Sequence, residues 1–183
     1  MLLTAIAERA EMRGWISVNV TDRDGMLSEI IVQLRQKASH ILAPETNSWL
    51  SEIHVHGVGF TRTREEVPST WRADMTKAVS ELNEKDAGLL ITVDEASAQS
   101  DELPVLIDSF QHFVRERRDV ALLLAGLPHN VSTLIDVDAI SFLRRAFKHT
   151  MDQISATDTS YAIKETVEGA GRGIAAPALK VAA

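Results

Sequence analysis

The chain has 183 residues, 45% hydrophobic and 25% charged, with a formal net charge of -7, a balance that suits one folded domain with a sizeable core and excludes a disordered chain. The acidic total, with no basic block longer than "RERR" (115 to 118), argues against a dedicated nucleic-acid surface. The absence of cysteine excludes disulfides and thiolate metal sites and fits the cytoplasm, and no apolar run approaches the ~20 residues of a membrane span.

The first dozen residues read as a helix, with Leu2, Leu3, Ile6 and Ala10 on one side and Gly14 as its stop. They lack the basic n-region of a signal peptide. No capping residue precedes this helix, which looks like one whose beginning is missing. "WISVNV" (15 to 20) has strand propensity, and "TDRDG" breaks it before an amphipathic helix from Met26 to Leu42. "WLSEIHVHGVGF" (49 to 60) alternates as an edge strand or hairpin, weakened at Gly57 and Gly59. The polar "TRTREEVPST" (61 to 70) reads as a mobile loop ahead of a helix from Trp71 to Lys85.

"GLLITVDEA" (88 to 96) is continuously apolar rather than alternating, and "DVALLLAG" (119 to 126) has the same character. A strand apolar on both faces belongs within a parallel sheet covered by helices, and "ELPVLIDSFQHFVRER" between the two supplies the crossover. "FKHTMDQI" (147 to 154) is a weaker third strand candidate, "TDTSYAIKETVEGAG" opens on a capping residue and continues as a helix, and "RGIAAPALKVAA" begins another. The expected fold is α/β, a three-layer sandwich with a mainly parallel sheet, its core over residues 1–154 and a helical segment over 155–183.

Asp94 and Glu95 end the first of these apolar runs. Ligands bind beyond the carboxyl ends of strands in open α/β sheets, and two adjacent carboxylates there are costly unless a cation or water meets them. Four or five apolar residues followed by Asp-Glu is the Walker B pattern of P-loop ATPases, in which the aspartate holds Mg²⁺ and the glutamate polarises the attacking water. Thr92 interrupts the run. The alternative is that Asp94 caps the following loop and Glu95 is merely solvated.

Five segments, "TWRADM", "GLLITVDEA", "FQHFVRERRDVALLLAGLP", "FLRRA" and "VEGAGRGI", together carry a wider likeness. The chain resembles the AAA+ ATPases, more narrowly the bacterial ATP-binding proteins of initiator-like type, over most of its length. The resemblance implies an ATP-hydrolysing core with Asp94 on Mg²⁺, Glu95 on water, Asn130 or its neighbour His129 as a γ-phosphate sensor, and Arg144 or Arg145 as a finger offered to a neighbouring subunit. On the residues alone, Asn130 starting the turn after Pro128 and a solvated arginine pair remain the alternatives.

The family pattern also requires Gly-x-x-x-x-Gly-Lys-Ser/Thr, whose backbone N–H groups and lysine hold the phosphates, and this sequence contains no Gly-Lys pair. In the resembled family that loop directly precedes a helix much like "LLTAIAERA", and "GRGIAAPALKVAA" looks like the opening of the helical lid. The expectation is an interior piece of a larger ATPase, with ATP and Mg²⁺ as the parent's cofactors and neither bound by this chain. Loss of several charge-assisted hydrogen bonds of ~1.5–3 kcal/mol each weakens nucleotide binding by roughly three or more powers of ten. The missing phosphate-loop strand would leave the edge at 119 to 125 apolar and unpaired, open to self-association; a protein partner is expected but not identifiable.

Two other functional readings share the same residues: a non-catalytic interaction module on the same fold, and an unrelated α/β hydrolase using Asp94 and Glu95 with a metal. His54 and His56 share a strand face as zinc ligands can, without a third ligand nearby. "DRDG" (22 to 25) opens like a calcium loop but lacks the glutamate at its twelfth position. Trp15, Trp49 and Trp71 are spaced as core or rim anchors.

Overall fold

The computed structural model describes residues 2–44, 46, 67–151 and 154–182, and the chain divides into two compact units, Met1–Ala146 and Phe147–Ala183. The first unit runs α1 (Leu2–Glu11), β1 (Ile16–Thr21), α2 (Met26–Ala38), α3 (Val67–Glu84), β2 (Leu89–Asp94), α4 (Leu103–Arg115), β3 (Val120–Leu124), α5 (Pro128–Asp136) and a 3-10 helix over Asp138–Arg145.

The class is α/β, and the three strands form one parallel sheet in the order β1-β2-β3. The continuous apolar run lies at its centre, with Leu89, Leu90, Ile91 and Val93 all buried. Register sorts the two faces. Ile16, Val18 and Val20 align with Leu89, Ile91 and Val93, and these with Val120, Leu122 and Leu124. Because side chains alternate along a strand, the nine residues form one apolar face. Against it pack Ile30 and Leu34 of α2, Met75 and Leu82 of α3, and Leu106 and Phe113 of α4. Each such side chain contributes ~1.5–3 kcal/mol when fully buried, so this layer dominates the stability of the unit.

The opposite face carries polar residues that satisfy one another. Thr92, which breaks the apolar run, is buried and donates to Oδ1 of its register partner Asn19 at 2.8 Å. A buried hydroxyl without such a partner is destabilising. Ser17 on the same face donates to Glu11 at the end of α1, and Lys37 Nζ reaches that carboxylate at 3.2 Å.

Several boundaries differ from the sequence expectation. α3 starts at Val67, a turn before Trp71, since Pro68 falls in the first turn, where its missing N–H has no helical acceptor. Trp71 is buried, its indole N–H donating to the Leu27 carbonyl at 2.9 Å. α5 was not legible from its mixed composition, but Pro128 opens it in the same way. Residues 147–151 are not in a strand, which corrects the weaker strand candidate at 147 to 154; 152 and 153 lie outside the described residues. So do the strand candidate at 49 to 60, with Trp49, His54 and His56, and positions 61–66 of the expected loop.

The second unit contains α6 (Ala156–Gly169) and α7 (Ala176–Ala182). The cap of α6 is Ser155, whose Oγ accepts the Asp158 N–H at 3.1 Å. Among the described residues no helix is long and apolar enough to cross a membrane.

Candidate functional site

Asp94 ends the central strand β2, beside Thr21 at the end of β1. The turn that follows is tied to both neighbouring strands. Asp22 N–H donates to the Asp94 carbonyl at 2.9 Å, and Ala96 N–H to the Ala125 carbonyl at 2.8 Å. Asp22 Oδ2 accepts the Ser97 N–H at 2.9 Å. Asp94 itself uses Oδ1 to accept the Glu95 N–H at 2.9 Å, a local contact of the capping kind that leaves Oδ2 available.

Glu95 is exposed and has a left-handed backbone, φ 59°. Asp86 and Arg117 also have positive φ, but they follow α3 and α4, where a left-handed residue is the ordinary helix ending. Glu95 instead follows a strand, where the conformation costs about 1–2 kcal/mol for a residue with a Cβ. Packing around the turn is close. A Cβ on Gly126 would lie 2.7 Å from the Ala96 carbonyl oxygen, so the backbone leaving β3 passes there because glycine has none.

Beside this turn is a cleft of about 260 Å³ lined by Asp22, Arg23, Asp24, Ser97, Ser100 and Glu102, among others. Asp22 Oδ1 is buried and has no hydrogen-bond partner among the described residues. Among those residues no group of three or more His, Asp or Glu side chains converges as a metal cage. Mg²⁺ does not need one, since it binds through one or two carboxylates, waters and substrate phosphates. Asp94 fits that carboxylate role, whereas no Gly-Lys loop in the sequence fits the phosphates.

No protein-family model, curated protein or solved structure matches this chain.

The remaining candidates from the sequence lie apart from the acidic pair in their bonding. His129 and Asn130 occupy the first turn of α5, beyond the end of β3, His129 exposed and Asn130 half-buried. Arg144 and Arg145 end the 3-10 helix, both exposed, with Arg144 Nε donating to the Ile135 carbonyl at 3.4 Å. No hydrogen bond or ion pair among the described residues joins His129, Asn130 or Arg145 to Asp94 or Glu95. The structure instead places Asp22 against Asp94. In the sequence "DRDG" reads as the break after a strand and an incomplete calcium loop; the signal for Asp22 is an aspartate at the carboxyl end of a strand, one residue beyond the position that Asp94 holds on β2.

Proposed function

We propose that this chain carries the magnesium-and-water half of an ATP-hydrolysing site of AAA+ type, with the phosphate-holding half supplied by residues outside the sequence. Asp94 would hold the hydrated cation and Glu95 would polarise the attacking water, with Asn130 or His129 sensing the γ-phosphate and Arg144 or Arg145 serving a neighbouring subunit. The observation that carries this reading is the position of Asp94 and Glu95 at the carboxyl end of the central parallel strand, the ligand side of such sheets. The left-handed Glu95 supports it, because strained backbone concentrates at functional sites. Alone, the chain lacks the loop that binds phosphates and is not an ATPase.

Calorimetric titration with Mg-ATP is expected to show no binding in the micromolar range, and micromolar affinity would overturn the claim of incompetence. The reading of the acidic pair is tested in a protein extended by the in-frame codons upstream of Met1. With a Gly-x-x-x-x-Gly-Lys-Thr-like loop present, Glu95→Gln should lower kcat by roughly 10²–10⁴-fold while nucleotide binding persists. The absence of such codons, or full turnover by the variant, contradicts the proposal. The second reading, a non-catalytic interaction module, is favoured by one observation: β3 has a strand neighbour on one side only among the described residues. It predicts that Asp94→Ala and Glu95→Gln leave partner binding unchanged.

A further inference from the structure

Parallel pairing engages alternate residues of a strand with each neighbour. Leu89 N–H donates to the Asp119 carbonyl at 3.0 Å and Ala125 N–H to the Val93 carbonyl at 2.8 Å, so Ala121 and Leu123 between them also turn their backbone groups towards β2. Val120, Leu122 and Leu124 turn theirs away. The Val120 N–H is taken by the Arg118 carbonyl at 2.9 Å, while the outward groups of Leu122 and Leu124 have no partner among the described residues.

The opposite edge of the sheet is closed by a side chain. On β1 the outward residue is Asn19, whose N–H donates to Gln33 Oε1 at 3.1 Å and whose carbonyl accepts from Gln33 Nε2 at 2.7 Å. The amide of α2 thus takes the place of a neighbouring strand. Among the described residues β3, "VALLL", has no such cover, and the strand has none of the charges, prolines or glycines that blunt an edge.

We infer that the β3 edge pairs with the β3 edge of a second copy of this chain, antiparallel, about a two-fold axis through Leu122. Outward-facing residues must oppose outward-facing ones, so the axis passes through a residue rather than between two. At Leu122 it sets Leu122 opposite its own copy and Val120 opposite Leu124, engaging the whole strand, and any other centre leaves part of it unpaired. Opposed residues share a face, so the apolar faces of the two sheets join on one side of a six-stranded sheet. Charge selects the direction. The stretch before β3, residues 115–119, sets Arg115, Arg117 and Arg118 against Glu116, which pairs with Arg118 at 3.3 Å, and Asp119, three positive charges against two negative, while the other end of the sheet carries Asp22, Asp24, Asp94 and Glu95 with Arg23. Antiparallel pairing brings this weakly basic stretch of each copy towards the acidic end of its partner; parallel pairing would set acidic beside acidic. The pairing is that of these 183 residues by themselves, because in a longer protein of the proposed function the phosphate-loop strand would take the same edge.

Ala121 and Leu123 oppose each other across this pairing as a non-hydrogen-bonded pair with close Cα atoms, and the chain has no cysteine of its own, so the register can be read by cross-linking. Under mild oxidation, an equimolar mixture of Ala121→Cys and Leu123→Cys chains should form the mixed disulfide dimer, at least about fivefold more of it than either chain forms with itself. Sedimentation velocity should show a concentration-dependent dimer of the unmodified chain. Leu123→Lys should weaken it by about tenfold or more, and adding Ala121→Glu chains to Leu123→Lys chains should restore association, which separates loss of pairing from loss of folding. A chain that stays monomeric to millimolar concentration, with the edge free or occupied by some other protein, overturns the inference. So does a dimer in which Leu123→Cys links chiefly to itself, or one that is indifferent to both charged variants.

Discussion

Glu102 caps α2 from 75 residues away: its Oε2 accepts the Leu27 N–H at 2.8 Å, and its Oε1 takes the Gly25 N–H at 2.9 Å. Gly25 stands at the N-cap with φ 87° and has no side chain to do this. A carboxylate there satisfies two helix-end donors and meets the positive end of the helix dipole. Glu102→Ala is expected to lower stability by about 1–2 kcal/mol, and Glu102→Gln by less, since one acceptor oxygen survives. Urea unfolding of the two variants against the unmodified chain checks the order.

Gln33 holds both backbone groups of Asn19, and its amide also donates to Glu29 at 3.1 Å. Gln33→Ala should therefore cost about 1–2 kcal/mol and speed hydrogen exchange at the Asn19 amide more than at Val18, which faces β2. Equal acceleration along β1 would mean that the amide does not close the edge.

At Gly126 the obstacle to any Cβ is a backbone oxygen at 2.7 Å rather than a side chain that can swing away. Gly126→Ala should destabilise by about 1–3 kcal/mol and, because Ala96 must move, shift the backbone resonances of Asp94 and Glu95.

Glycine at position 95 has the opposite effect. Relief of the left-handed strain at φ 59° exceeds the added entropy of the unfolded chain, so Glu95→Gly should leave stability unchanged or raise it by up to about 1 kcal/mol. Thermal unfolding decides it, and a clear loss would mean that the Glu95 side chain holds the fold.

Glu11 gives the chain a specific acid response. The Ser17 hydroxyl bonded to its carboxylate, aided by Lys37 and opposed by slight desolvation, holds its pKa below the ordinary 4.5. The folded value lies below the unfolded one, so the contribution is present above about pH 4.5 and disappears as pH falls through the folded pKa. The side chain is 45% exposed, so the effect is small. Glu11→Gln should flatten the fall in stability between pH 5 and 3, as followed by urea midpoints.

Local pattern by itself placed strands at 15–20 and within 88–96 and 119–126, which form over 16–21, 89–94 and 120–124, with the crossover helix between the last two and Asp94 and Glu95 at a strand end. Each of these follows from how apolar residues recur along the chain, because periodicity of burial is set by backbone geometry that neighbouring residues share. Tertiary structure alone decided that Thr92 is satisfied by Asn19, that Asp22 abuts Asp94, that Glu102 caps α2 and that Gln33 closes one sheet edge. These partners lie 14 to 77 residues apart, and a polar side chain in sequence does not announce which distant backbone group it will meet. Hydrogen bonds are directional and short, so their pairing is fixed only once the apolar face has brought the elements into register.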